Sequence, residues 1–346
     1  MGKDAGGGKM KRVALIAQVV GVSVIIFILD FLFVPPNDGS ILIGLLFWAG
    51  VGQGVIALAA AADLSGGKWI KEIRPFLMEY YPLLLLFPIA FLIFARHISV
   101  YAWAAKPGVW LSPLFFIVRN AAILLLPFIA AHFYVRRAKQ ESPKTRQWAV
   151  LYLLFFVIGQ SFMAFDIVMT FEYPWVNTLF GGYFFVESLY GGVAFSAILA
   201  GVLAYRNAAR FKPAFNDFTS MIMGFALLWA GLFYSQYLVT WYGNLPEEVS
   251  FIERRLSMPL GNEMGIYILA VLFLIPFLAL VSRKVKSMIP AVWVIGVLVF
   301  SGLIVERLIY LLPVAGLSII GVLLSLVLLG FPFIYLLSRQ NLNLET

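Results

Sequence analysis

The chain reads as an all-α integral membrane protein with ten transmembrane helices, and three observations predict it. Hydrophobic residues make up 62% of its 346 residues and charged ones 12%, where soluble domains average roughly a quarter charged. Ten apolar stretches approach or exceed the about 20 residues that carry a helix across a hydrocarbon core. The basic residues are also unevenly spread, with 19 of the 25 in connections on one face of the alternating spans. No segment has the alternating pattern of a strand.

The stretches, in order, are Val13–Val34, Ile41–Ala62, Tyr81–Ala95, Leu111–Val135, Trp148–Met169, Gly182–Tyr205, Phe218–Tyr242, Met264–Val281, Pro290–Ile309 and Leu317–Ser338. The first is too long for a signal-peptide core, and Val34-Pro35-Pro36 is not a small-residue cleavage site, so it is expected to stay attached. The third is the shortest. The fourth contains Arg119. The fifth carries Gln160, Ser161 and Asp166 with Tyr152 nearer its inner end, and the sixth carries Glu187. Asn216 and Asp217 are placed to cap the seventh at its inner end. That helix runs outward into Tyr234-Ser235-Gln236-Tyr237 and Trp241-Tyr242. The ninth holds Glu306 and Arg307 near its outer end. The connections are short, so residues 1–346 form one transmembrane unit, with spans one and two in 13–62, three to five in 81–169, six to eight in 182–281, and nine and ten in 290–338.

Lys and Arg in short loops set orientation. Lys3, Lys9, Lys11 and Arg12 precede the first span. Lys68, Lys71, Arg74, Arg136, Arg137, Lys139, Lys144, Arg146, Arg206, Arg210, Lys212, Arg283, Lys284, Lys286 and Arg339 fall on the same side. Only Arg96, Lys106, Arg254 and Arg255 lie on the other, while Arg119 and Arg307 are within spans. Both termini are therefore expected in the cytoplasm. The net charge of +8 is accounted for by topology and anionic lipid, with no nucleic acid partner.

The chain has no cysteine, which excludes thiolate-held iron–sulfur clusters, Cys-x-x-Cys-His haem attachment and disulfides. Two histidines, His97 near the outer face and His132 near the inner, cannot ligate a b-haem from one level. No Gly-rich phosphate cradle precedes a Lys. Any electron carrier is expected to be diffusible or to belong to another chain.

Charge inside a span costs roughly 2.5–3.5 kcal/mol per residue on insertion scales, so Arg119, Asp166 and Glu187 mark a protein interior or an ion path. Asp166 and Glu187 lie on adjacent helices joined by a short outer loop and are expected to approach each other. Two carboxyls sharing a dry site cannot both ionise cheaply, which suits them to carrying a proton, and Arg119 would hold the other carboxylate ionised. The alternative is a permanent Arg119–Asp166 pair that only fixes packing. Gln160, Ser161, Ser235, Gln236 and Tyr237 are further candidates for a proton path. Glu306 and Arg307, at i and i+1, need different partners, and Arg307 reads as snorkelling to the interface. His97 and Tyr234 are candidate quinol contacts. If the path does not cross the membrane, Arg119, Asp166 and Glu187 form an outer half-channel or a quinol pocket.

The run Asp217 to Arg255, with Ser235-Gln236-Tyr237, Trp241-Tyr242-Gly243-Asn244-Leu245-Pro246-Glu247-Glu248 and Glu253-Arg254-Arg255, resembles the corresponding helix and outer loop of the ActF-type membrane subunit of alternative complex III. That subunit belongs to the NrfD-like (polysulfide reductase membrane subunit) family. Trp110 to Arg119, Phe165-Asp166 to Glu172 with Trp175 and Phe180-Gly181, Phe277 to Arg283, and Glu306-Arg307 to Pro313 are similar to further segments in the same order. Tyr173-Pro174 stands where the family often has Pro-His, and Ala62-Asp63 where it often has histidines; Glu187 replaces a small residue. These departures weaken quinol oxidation by this chain and leave a proton path standing.

The resemblance implies two four-helix bundles, spans two to five and six to nine, flanked by the first and last spans. It implies a bacterial cytoplasmic membrane and a complex that oxidises quinol or menaquinol and passes electrons toward a cytochrome c. The partners it implies are a second NrfD-like subunit, multihaem cytochrome c subunits and an iron–sulfur subunit. Haem c and iron–sulfur clusters would sit in those partners, with none in this chain. Three other readings remain: a quinol-binding subunit of another respiratory oxidoreductase, a stand-alone secondary transporter with repeated bundles and midmembrane charge, or a scaffold subunit whose ion pairs only set packing.

Overall fold

The computed structural model describes residues 4–342, with side chains from residue 17 to 341. Lys3 lies outside the described residues, as do the side chains of Lys9, Lys11 and Arg12. All regular structure among the described residues is helical. The helices are α1 (Asp4–Phe33), α2 (Ile41–Ser65), α3 (Arg74–Val100), α4 (Pro113–Lys139), α5 (Thr145–Glu172), α6 (Phe180–Arg206), α7 (Ala208–Gly243), α8 (Pro246–Leu256), α9 (Gly261–Val281), α10 (Ile289–Leu311) and α11 (Ile319–Leu342). Nine of them, all but α1 and α8, are long and apolar enough to cross a membrane, and Ala17–Phe33 of α1 is a shorter apolar helix. The chain is a multi-pass membrane protein.

Two elements differ from their apolar windows for local reasons. α3 extends beyond Tyr81–Ala95 at both ends, and Pro75 and Pro82, which lack the N–H of a regular helix, stand at the starts of two of its segments. It is split into α-helix Arg74–Met78, 3-10 helix Tyr81–Leu85, α-helix Leu86–Phe94 and 3-10 helix Ala95–Val100. α7 begins at Ala208, and its cap is Asn207, whose side-chain oxygen accepts the Arg210 N–H at 3.2 Å. Asn216 and Asp217 are inside the helix, which corrects the capping role expected of them. Its 36 residues span about 54 Å, well beyond the hydrocarbon thickness.

α2 is apolar on every side and buried throughout its most hydrophobic stretch, as expected of a helix with neighbours all round. It packs against α3, α5, α6, α10 and α11. α4 packs on α3 and α5. α6 packs on α7 and α10, α9 on α7 and α10, and α1 on α11. The two sets of helices therefore meet along α2 and α6.

That seam is a backbone contact. Gly50 and Gly54 on α2 face Ser188 and Gly192 on α6. A Cβ built on Gly54 would stand 2.3 Å from the Ser188 carbonyl oxygen, and one on Gly192 2.5 Å from the Gly54 carbonyl carbon. Small residues four apart allow such an approach, which gains packing where lipid supplies no hydrophobic drive. Gly54→Leu should separate the helices and lower thermal stability in detergent, by more than the about 1–3 kcal/mol typical of overpacking. Gly224→Ala, where nothing lies within 4 Å of the new Cβ, should leave the melting temperature unchanged or slightly raised.

Candidate functional site

Helices α2, α4, α5, α6 and α10 bring part of the buried polar residues into two charge centres and one neutral layer. The first centre forms where the N-terminal part of α4 meets a π-helical turn of α5, Met163–Val168. Such turns widen the helix and expose carbonyls. Here the Thr170 hydroxyl donates to the Asp166 carbonyl, and the Tyr101 hydroxyl to the Ile167 carbonyl at 2.8 Å. The Asp166 side chain accepts at Oδ2 from Arg119 Nε (2.6 Å) and Asn120 Nδ2 (3.2 Å), and at Oδ1 from Trp110 Nε1 (3.4 Å). Arg119 also donates to the Trp110 carbonyl at 3.1 Å, and its guanidinium lies 4.1 Å from the Trp110 ring and 4.6 Å from that of Phe115. This is a one-to-one ion pair with an amide and an aromatic wall.

The second centre has two acids for one cation. On α6, Glu187 accepts at Oε2 from Arg307 Nη1 (2.6 Å) and at Oε1 from the Tyr310 hydroxyl (3.4 Å). On α10, Glu306 accepts at Oε1 from the Tyr183 hydroxyl, and Tyr183 stands one helical turn before Glu187 on α6, so both carboxyls belong to one buried site. The Arg307 guanidinium lies over the Phe184 ring at 3.8 Å. Glu187 is 1% exposed, and Glu306 and Arg307 are each 2% exposed. With both acids ionised the centre would carry an unbalanced buried negative charge, which is costly. One proton held by the two carboxyls makes it neutral.

These contacts correct several expectations. The carboxyl partner of Glu187 is Glu306, not Asp166, and its cation is Arg307, not Arg119. α5 and α6 are neighbours, but Asp166 faces α4 and Glu187 faces α10. Arg307 does not snorkel, because an anion inside the bundle holds it. Glu306 and Arg307 do take different partners, as adjacent helical residues must.

The neutral layer lies at the α2–α6 crossing. Gln160 Nε2 donates to Gln53 Oε1 (2.9 Å), Ser188 Oγ to Gln160 Oε1 (2.7 Å), and the Tyr152 hydroxyl to the Gln53 carbonyl (2.6 Å). Toward the basic face, Asp63 Oδ2 accepts from Arg74 and from the Tyr134 hydroxyl, both at 2.6 Å. Ser161 only bonds back to the Val157 carbonyl (2.9 Å), and Ser235 to that of Gly231 (2.7 Å). Gln236 accepts from Asn177 (2.9 Å) and so ties the 172–179 loop to α7. Tyr234 and Tyr237 are exposed on α7. The structure therefore leaves Ser161, Ser235, Gln236 and Tyr237 outside both centres.

His97 is fully buried, not interfacial. Its Nδ1 accepts the Asp38 N–H (3.3 Å), so Nε2 carries the proton and donates to Asp30 (3.2 Å), which also accepts from Arg96 (2.9 Å). Both ring nitrogens are occupied, which removes His97 as a hydrogen-bonding partner for a quinone. Sequence reasoning missed Gln53, Asn120, Tyr183, Ser188 and Tyr310. Tyr183 stands four residues before Glu187 and Tyr310 three after Arg307, a helical spacing that could have flagged them.

On the side away from the basic loops, α8 closes over the second centre. Arg255 Nη2 donates to the Tyr310 carbonyl (2.8 Å), and Arg255 and Arg254 both pair with Glu172 (2.9 and 2.8 Å). Burial pulls the Arg255 guanidinium below its usual range, opposed by the Glu172 carboxylate. Among the described residues no group of three or more His, Cys, Asp or Glu side chains is placed to hold a metal ion. Comparison of the chain with protein-family models and with curated proteins finds no match to either.

Arg307→Met should cost about 3–5 kcal/mol by leaving a buried carboxylate without its cation. Adding Glu187→Gln should recover most of that loss in chemical denaturation of the detergent-solubilised protein.

Proposed function

We propose that this chain is a proton-handling membrane subunit of a quinol-oxidising electron-transfer complex. The observation that carries the proton part is the placement of Glu187 and Glu306 in one site beside Arg307: two carboxyls and one guanidinium in a dry interior, neutral when one proton is shared. Groups that must share a proton titrate as a unit, and ionisable groups within a membrane interior usually serve ion or proton movement. The redox part rests on the resemblance of Trp110–Arg119, Phe165–Glu172 and Asp217–Arg255 to the ActF-type and NrfD-like subunits.

On this reading the chain lies in a bacterial cytoplasmic membrane with both termini in the cytoplasm. It binds no haem or iron–sulfur cluster itself. Its partners are a second NrfD-like subunit, multihaem cytochrome c subunits and an iron–sulfur subunit, which carry the electrons from quinol.

Two measurements test this reading. Mild-detergent isolation of the chain from its native membrane should bring multihaem and iron–sulfur subunits with it, seen in a haem spectrum and by mass spectrometry. A haem-free single chain would favour a secondary transporter instead. In the intact complex, Glu187→Gln should leave assembly unchanged and lower the protons released per quinol oxidised, and an unchanged proton yield would contradict the role given to Glu187.

A further inference from the structure

The two ends of the second centre are differently furnished. Inward of Glu187 and Glu306, neither α6 to Leu203 nor α10 from Val292 carries an Asp, Glu, Lys, Arg or His. The α2–α6 crossing beside them is closed by backbone contact, and Gln53, Gln160, Ser188 and Tyr152 are bonded to one another there. Amide side chains order such a layer but do not readily pass protons.

Outward, ionisable and incompletely bonded groups continue to the surface. Tyr310 follows Arg307 by one helical turn with its hydroxyl on Glu187, and its carbonyl is held by Arg255, which pairs with Glu172. Glu306 Oε2, Arg307 Nε, Arg255 Nε and Trp229 Nε1, whose ring lies beside Tyr183, are buried with no protein partner. Orphaned polar atoms of this kind call for bound water. Gln53, Gln160, Ser188 and Tyr152 have none.

We infer that the Glu187–Glu306 pair exchanges its proton with the outer face alone, through a hydrated half-channel whose mouth is the Glu172–Arg255 pair. The face meant is the one opposite the basic loops. The charged and titratable groups against the pair are Tyr183, Arg307 and Tyr310. When the shared proton passes from Glu306 to Glu187, the Tyr310 hydroxyl, which donates to Glu187 while that carboxylate is ionised, turns to donate to water toward Glu172 and takes the proton from Glu187 as it releases its own, so no net charge rests on the tyrosine. The chain then takes up or releases protons on one side and does not conduct them through the bilayer.

This rests on reading Glu187 and Glu306 as a proton-holding pair, and the test separates the two claims. The protein, with whatever subunits accompany it, is placed in sealed, uniformly oriented vesicles with the pH on each side set independently. The protonated-carboxyl infrared band is followed and assigned by its loss in Glu187→Gln. The band should follow the outer pH and ignore the inner, and Tyr310→Phe and Glu172→Gln should each slow its response by about tenfold or more. Tyr310→Phe removes only a hydroxyl, so it keeps the test open if Glu172→Gln misfolds. A response to inner pH, or variants that respond as fast as wild type, would overturn the one-sided route. Absence of an assignable band would instead overturn the proton-holding pair.

Discussion

The contact of α2 with α6 is made through backbone, and the positions of the buried polar groups follow from it. Because Gly50 and Gly54 let the Ser188 carbonyl and Gly192 come against α2, Gln53 can reach Gln160 while Gln160 reaches Ser188. The same approach seats α6 so that Glu187 points to α10 and not back to α5. A side chain at Gly54 would have to move the helix that carries half of the second charge centre.

Once the helices are fixed, the expense of charge in a low-dielectric interior decides the rest. The first centre answers it with one cation for one anion, plus Asn120 and Trp110 donating to the carboxylate. The second has an acid in excess, so neutrality needs a proton in place of a second cation. The difference explains why Arg119–Asp166 reads as a packing pair and Glu187–Glu306–Arg307 as chemistry. Replacing a well-paired buried ion pair by apolar residues can be nearly neutral, whereas nothing about packing alone asks for a second carboxyl.

The fold class was legible because the bilayer imposes length and apolarity on each span, and those are visible in windows such as Ile41–Ala62. Ends were less so: the helical start at Ala208 is polar, and α3 is split into segments, two of which start at prolines. Which intramembrane residues matter was legible from charge alone, since Asp166, Glu187, Glu306 and Arg307 proved buried and Arg119 half-buried. Their pairing was not. Sequence proximity of the fifth and sixth spans suggested Asp166 with Glu187, but the partner of Glu187 comes from a helix 120 residues away, and rotation of α6 about its own axis is set by glycine contacts that no charge pattern reports. Asp30 stands near the end of α1, yet His97 and Arg96 enclose it.

The central claim is that the membrane interior holds two independent charge centres, one of them a coupled carboxyl pair. Double-mutant cycles on unfolding free energy, with Asp166→Asn, Glu187→Gln and Glu306→Gln, test it most directly. Asp166 and Glu187 should be additive within about 0.5 kcal/mol, and Glu187 and Glu306 should couple by more than about 1 kcal/mol. Strong coupling of Asp166 to Glu187, with none between Glu187 and Glu306, would contradict the account.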